Sequence, residues 1–224
     1  MRDIVCRREF VSLSVTHAAF GRGAFHLLVG EPESGHELLL RVLGLLEVPD
    51  AGEVFVDGEP VHGLSEEARL KLRERRLGFV FTAPFLLPAF SVIENVAMPL
   101  FKVSDVEAAE ARRRSDALLD FTGLLEFSEV PCAELTPFTQ HRVSLARALV
   151  NEPSALLVEG LDSALAGEEL RAFSGLLRLA ASRFGIAVIA TASPRFVVEC
   201  GDRVLNVAEG VAASKEKLWP ETDA

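Results

Sequence analysis

The sequence contains no tyrosine, one tryptophan and two methionines, so its apolar interior must be built from aliphatic residues and 15 phenylalanines. Cysteine is scarce as well. Cys6, Cys132 and Cys200 lie far apart, and no Cys-x-x-Cys or Cys/His cluster occurs. That spacing excludes the common zinc frameworks, and unpaired thiols suit a reducing cytosol. Basic charge is also in short supply. Lys and Arg number 23 against 33 Asp and Glu, a formal net charge of −10. That balance argues against a broad electrostatic footprint for nucleic acid and leaves a local basic patch open. The first ten residues, MRDIVCRREF, do not read as a signal peptide, because no apolar run follows the basic ones. Nor is there a run of about 20 apolar residues suited to spanning a bilayer. The uncharged stretch over residues 77–93 is broken by Pro84 and Pro88. It reads as buried or partner-facing surface, and any membrane attachment would be through a partner.

What is present is apolar and alternating. Hydrophobic residues make up 49% of 224, enough for one domain carrying an inserted subdomain. VSLSV (11–15) alternates as a half-buried strand does, and AFHLLVG (24–30) is a short apolar run ending in glycine. Helical spacing follows over 37–47. Residues 49–61 hold a turn, a strand and an Asp-Gly turn into another strand. SEEARLKLRERR (65–76) is a polar helix capped by Ser65. Further helices are expected over 103–124, 140–153 and 168–185, strands over 155–160 and 186–193, and a strand pair within 202–214. This alternation predicts an α/β fold with a mainly parallel sheet covered by helices. Residues 82–147, rich in helix, would form an inserted subdomain of a single domain over 1–224.

Gly30, Glu31, Pro32, Glu33, Ser34, Gly35, His36 and Glu37 lie between an apolar strand and a helix, at the spacing of the phosphate loop G-x-x-x-x-G-K-[ST]. Such a loop works because backbone N–H groups and a helix N-terminus cradle phosphates, while a Lys and a hydroxyl serve the phosphates and Mg²⁺. Here those two positions hold His36 and Glu37, and Glu31 and Glu33 add negative charge. Two like charges about 4 Å apart repel by roughly 4 kcal/mol at an effective dielectric near 20. One such contact outweighs several backbone hydrogen bonds of about 1 kcal/mol each.

Further segments occur in a known order. DAGEVFVDG, LGFVFTAPFLLPAFSVIENVAMPL, LTPFTQHRVSLARALVNEP, LLVEG, ATAS and DRVL follow the loop. Together, over roughly residues 10–210, they resemble ATP-binding cassette (ABC) transporter subunits of the lipoprotein-releasing, macrolide-export and cell-division branch. The resemblance implies a P-loop NTPase-like core with an antiparallel β subdomain, and a cytoplasmic subunit held at the inner face of the membrane by a permease. It also implies where ATP chemistry would sit, and there the chain departs from the pattern. The glutamine that reaches the metal and the attacking water falls on Thr82. The LSGGQ signature reads Leu135, Thr136, Pro137, Phe138 and Thr139; Pro137 has no N–H, and Phe138 fills space that glycine leaves open. The Asp-Glu pair for Mg²⁺ and water falls on Glu159 and Gly160. The D-loop Asp falls on Ala166, the switch His on Ala192, and Phe10 is a weak substitute for the adenine-stacking aromatic. Those groups act on one phosphoryl-transfer transition state, so their joint loss implies negligible hydrolysis and no tightly bound cofactor.

The resemblance assigns permease docking to the segment that keeps its family character, with Phe81, Phe85, Leu86, Leu87, Phe90 and Val96 lining the groove. The implied partners are a membrane permease and either a second copy or an active ABC subunit, with lipoproteins or lipids as the cargo class. Two other readings stay open: a slow but active ATPase that uses ATP and Mg²⁺, and a free-standing interaction module. Arg142, Arg147 and Arg112, Arg113 and Arg114 read as solvated helix faces. His17, His26, His62 and His141 read as structural or surface residues, while His36 would give weak, pH-dependent anion affinity.

Overall fold

The computed structural model describes every residue except 10, 104–105, 197–200, 209–210 and 215–224. Phe10 and Cys200 therefore lie outside the described residues. In chain order the strands are β1 (Arg2–Arg7), β2 (Ser12–His17), β3 (Phe25–Val29), β4 (Ala51–Glu53), β5 (Phe55–Val56), β6 (Glu59–Pro60), β7 (Leu77–Val80), β8 (Ala155–Val158), β9 (Ala187–Ala192), β10 (Arg203–Ala208) and β11 (Val211–Ser214). The helices are α1 (His36–Leu43), α2 (Glu66–Arg76), α3 (Val92–Val103), α4 (Ala108–Phe121), α5 (Pro137–Leu149), α6 (Leu161–Ala164) and α7 (Gly167–Phe184).

Among the described residues, nine strands form one sheet in the order β4-β1-β2-β11-β10-β3-β9-β8-β7. The run β10-β3-β9-β8-β7 is parallel. β3 and β9 are buried at every residue, as strands covered by helices on both faces must be. β1 pairs antiparallel with β2 and β4, and the β10–β11 hairpin joins the two halves, because β11 also pairs with β2. β5 and β6 form a separate hairpin. The expected α/β architecture is present, with a mostly parallel sheet and an antiparallel portion.

The core divides along the two faces of the sheet. Phe25, Leu27, Leu156, Val158 and Val188 pack with the inner faces of α3, α4, α5 and α7. Leu28, Leu157, Ile189 and Leu205 pack with α1 and with Ile4, Leu13 and Val15 of the antiparallel part. Helices α3, α4 and α5 pack on one another, and they occupy the chain between β7 and β8.

Several boundaries differ from expectation. α5 starts at Pro137, because Thr136 caps it by accepting a hydrogen bond from Thr139 N and because proline is accommodated in a first helical turn. The helix expected over 103–124 contains only α4, which gives way at Thr122 to Gly123 with φ 66°. α3 continues through Pro99 and was not visible as a helix. β1 was missed although Ile4 and Cys6 alternate inward. Residues 81–90 form no helix, as Pro84 and Pro88 require. Among the described residues, no helix is long and apolar enough to cross a membrane.

Candidate functional site

The carboxyl ends of parallel strands are where an open α/β sheet places ligands. Four of the expected site positions arrive there. Gly30 follows β3, Thr82 lies two residues past β7, Glu159 follows β8, and Ala192 ends β9. Gly30 N donates to Ala192 O at 3.3 Å, and Glu159 N donates to Val80 O at 2.9 Å, so neighbouring strand ends are tied directly.

The loop from Gly30 to Glu37 turns tightly. Ser34 N donates to Glu31 O at 3.0 Å, Glu33 has φ 69°, and Gly35 caps α1 with φ 96°. Glu31, Glu33 and Glu37 are exposed, whereas Ser34 and His36 are buried. The Ser34 hydroxyl and His36 Nδ1 are 3.0 Å apart. They pack against Gly30 so closely that a Cβ there would lie 2.0 Å from Ser34 Oγ and 2.9 Å from His36 Nδ1. Burial holds the His36 pKa below the ordinary imidazole value, against the pull of Glu37, Asp162 and Glu31. Burial thus favours the neutral imidazole at His36.

Thr82 Oγ1 donates to Glu159 O at 3.2 Å. Gly160, with φ 58°, fits against the same hydroxyl: a Cβ there would lie 2.6 Å from Thr82 Oγ1. Its N–H donates to Thr191 Oγ1 at 2.8 Å. Asp162, which sequence reasoning passed over, accepts from Ser193 N at 3.1 Å and from the Ser193 hydroxyl. It stands close enough to influence His36, and so adds a further negative charge on this side. Ala166 is exposed, at the N-terminus of α7.

Two cations near the loop were also missed. A cavity of about 300 Å³ beside it is lined by Arg8 and Arg41, and by Glu33, Glu37 and Glu47. Arg8 pairs with Glu47 at 3.0 Å and Asp50 at 3.4 Å, and Arg41 lies 3.5 Å from Glu47. No local sequence pattern could place Arg8 here, since its partners Glu47 and Asp50 lie 39 and 42 residues along the chain.

Leu135, Thr136, Pro137, Phe138 and Thr139 do not line that cavity. Pro137, Phe138 and Thr139 open α5, with Thr136 as its cap and Leu135 just before it; the Thr136 and Thr139 hydroxyls are 2.9 Å apart, and Phe138 packs against the core beneath the Arg142 guanidinium. His141, on the same helix, is buried, with Nδ1 2.8 Å from Pro137 O and Nε2 3.1 Å from Thr82 O. It thus joins this segment to Thr82. Two expectations about arginine are corrected. Arg142 donates to Thr122 O and to Gly123 O, and Arg147 donates to Phe85 O at 2.8 Å and Pro84 O at 2.6 Å. Both are half-buried anchors rather than solvated charges, because backbone carbonyls of the neighbouring loops turn toward them.

Phe85 is 70% exposed and has φ 46°, an uncommon conformation for a bulky residue. Leu87, Phe90, Met98 and Phe101 are also exposed. Phe81 stands between Phe79 and Phe85, with ring centroids 5.6 and 5.7 Å away. Leu86 is half-buried against the core. Val96 is a correction: it is fully buried in α3, facing α4 and α5, and lies beneath the apolar surface rather than lining it.

The chain matches the ABC transporter family model over residues 13–164. It is 39% identical over 193 residues to the lipoprotein-releasing system ATP-binding protein LolD of Paramagnetospirillum magneticum, covering 84% of this chain and 83% of that one. It is 37% identical to the macrolide export ATP-binding/permease protein MacB of Syntrophobacter fumaroxidans, over 84% of this chain and 27% of that protein. Among solved structures, a dimeric bacterial ABC transporter cassette superposes with a TM-score of 0.83 and 26% identity over 98% of both chains. A related dimer in a post-hydrolysis state bound to ADP and Pi gives a TM-score of 0.81 at 25% identity. By sequence and by architecture, the chain belongs to the ABC transporter family.

Proposed function

We propose that this ABC subunit is a pseudo-ATPase: it docks a membrane permease and acts as a structural or regulatory partner in transport, with lipoproteins or lipids as the cargo class its relatives suggest. The observation that carries the reading is the Ser34–His36 contact packed against Gly30. It occupies the inside of the loop, where a phosphate would need open backbone N–H groups. The residues around it do not fit a Mg²⁺-bound triphosphate. Glu37 stands where a metal-ligating hydroxyl is required, His36 favours its neutral form, and Gly160 offers no base. Pro137 and Phe138 carry the same argument to a composite site shared with a second subunit. The docking surface is the exposed apolar segment around Phe85, with the α3–α5 segment serving as the inserted helical subdomain. A permease bound there would hold the chain at the cytoplasmic face of the membrane, in a homodimer or beside an active ABC subunit.

Calorimetry of ATP·Mg²⁺ with the purified chain tests this. No saturable binding tighter than about 0.1 mM, roughly −5.5 kcal/mol, is expected. Binding above that strength overturns the reading.

A second reading, a slow ATPase, is favoured by Arg8 and Arg41 beside the loop. It requires measurable turnover that Glu159→Ala abolishes.

A further inference from the structure

A second cavity, of about 450 Å³, opens at the other end of the parallel strands. Ser154 and Ile186 on its wall precede β8 and β9, whereas the loop of Gly30 to Glu37 lies beyond the strands' carboxyl ends. Four guanidinium groups line the cavity, together with the Glu152 carboxylate, although the chain as a whole is acidic. Arg113 and Arg114 come from α4, Arg76 from the last turn of α2, and Arg22 from the loop before β3. The floor is apolar, built by Leu118, Leu149, Val150, Phe184 and Ile186.

Three carboxylates balance these four cations. Arg22 and Arg76 share Asp57, at 2.5 and 3.7 Å. Arg113 and Arg114 share Glu110, at 2.8 and 2.6 Å, and Arg114 is 3.6 Å from Glu152. One positive charge is left over in the group. Each guanidinium carries five donors, so a shared carboxylate leaves donors available. Exposed pairs of this kind hold one another with little net energy, which lets a better-placed anion compete.

We propose that this cavity binds a small organic anion: a carboxylate, sulfonate or phosphate head taken by the arginines, and an apolar body lying on Leu118, Phe184 and Ile186. Its volume falls in the range that small-molecule sites occupy. The walls belong to two parts of the chain. α4 and α5 come from the segment between β7 and β8, while Phe184 ends α7 and Ser154 and Ile186 lead into β8 and β9. A bound anion therefore bridges the α3–α5 helices to the sheet at the end away from the nucleotide-type loop.

The probe is 8-anilinonaphthalene-1-sulfonate, with uncharged N-phenyl-1-naphthylamine as its comparison. Saturable one-site fluorescence enhancement is expected, with the neutral probe bound about tenfold or more weakly, the scale of a charge-assisted hydrogen bond. Arg113→Ala and Arg76→Ala should each weaken the sulfonate by a similar factor, and higher salt should do the same. If either variant lowers folding yield, Arg113→Gln, at an exposed helix position, replaces it. The inference is overturned by no saturable binding, by equal affinity for both probes, or by folded arginine variants that bind as the parent does. It is also overturned if Phe85→Ser removes the signal, which would put the probe on the exposed apolar segment.

Discussion

Arg147→Ala should loosen the segment that presents Phe85, and the expected size follows from the contacts. The guanidinium donates to two successive carbonyls, Phe85 O at 2.8 Å and Pro84 O at 2.6 Å. Hydrogen bonds involving a charged group contribute about 1.5–3 kcal/mol each. Burial holds the Arg147 pKa below the ordinary guanidinium value, so part of that gain offsets desolvation. Phe85 at φ 46° adds about 1–3 kcal/mol of backbone strain that only its surroundings maintain. When the clamp is removed, Phe85 relaxes and returns part of that strain. The net loss is then about 2 kcal/mol, or a fall in Tm of roughly 4–8 °C for a chain of this size. Arg147→Lys keeps charge but cannot fork to two carbonyls, so it should recover about half or less. Differential scanning fluorimetry gives the Tm, and hydrogen exchange over residues 81–90 locates the change. A Tm within about 1 °C of the parent, together with unchanged exchange in that segment, would refute the reasoning.

Four other outcomes are expected. Phe85→Asp should abolish recovery of the permease with the tagged chain while leaving Tm within about 1 °C, since the side chain is exposed. Gly160→Glu should restore no turnover and should destabilise by about 1–3 kcal/mol in chemical denaturation, because φ 58° and the 2.6 Å approach to Thr82 both oppose a side chain. Stability should be full above about pH 6.5 and should decline as pH falls below it, because His26 and His36 have pKa values lowered by burial and the unfolded chain binds the protons first; Tm measured from pH 7.5 to 5, flattened by His36→Gln, checks this. The Glu110 carboxyl, held at about 2 by Arg113 and Arg114, keeps its ion pairs to low pH, so its stabilising effect is present above about 4.5 and lost as pH falls toward 2; added salt should shrink the difference between parent and Glu110→Gln.

Much of the fold was legible because its signals are local. FHLLV, ALLV and AVIATA carry no polar face, and Ser65 at the head of α2 announces its own cap. Family order then supplied the positions of Thr82, Glu159, Gly160 and Ala192 around one end of the sheet. What escaped depended on contacts between distant residues. α3, which runs through Pro99, follows a proline-broken stretch and was not read as a helix, and packing against α4 and α5 sustains it. Arg142 and Arg147 looked like solvated charges until the carbonyls of other loops were placed beside them. Arg8 and Asp162 reach the loop only through the pairing of distant strands, so nothing in their own neighbourhoods marked them.

His141 and Arg147 lie on one helix and grip the same short stretch of chain at its two ends, Thr82 and Phe85. That stretch has little freedom of its own, and α5 cannot tilt without dragging it along. A load applied at the aromatic tip would be felt at Thr136 and Pro137, where the helix begins. Mechanically, helix and loop are one lever, and that linkage requires no nucleotide.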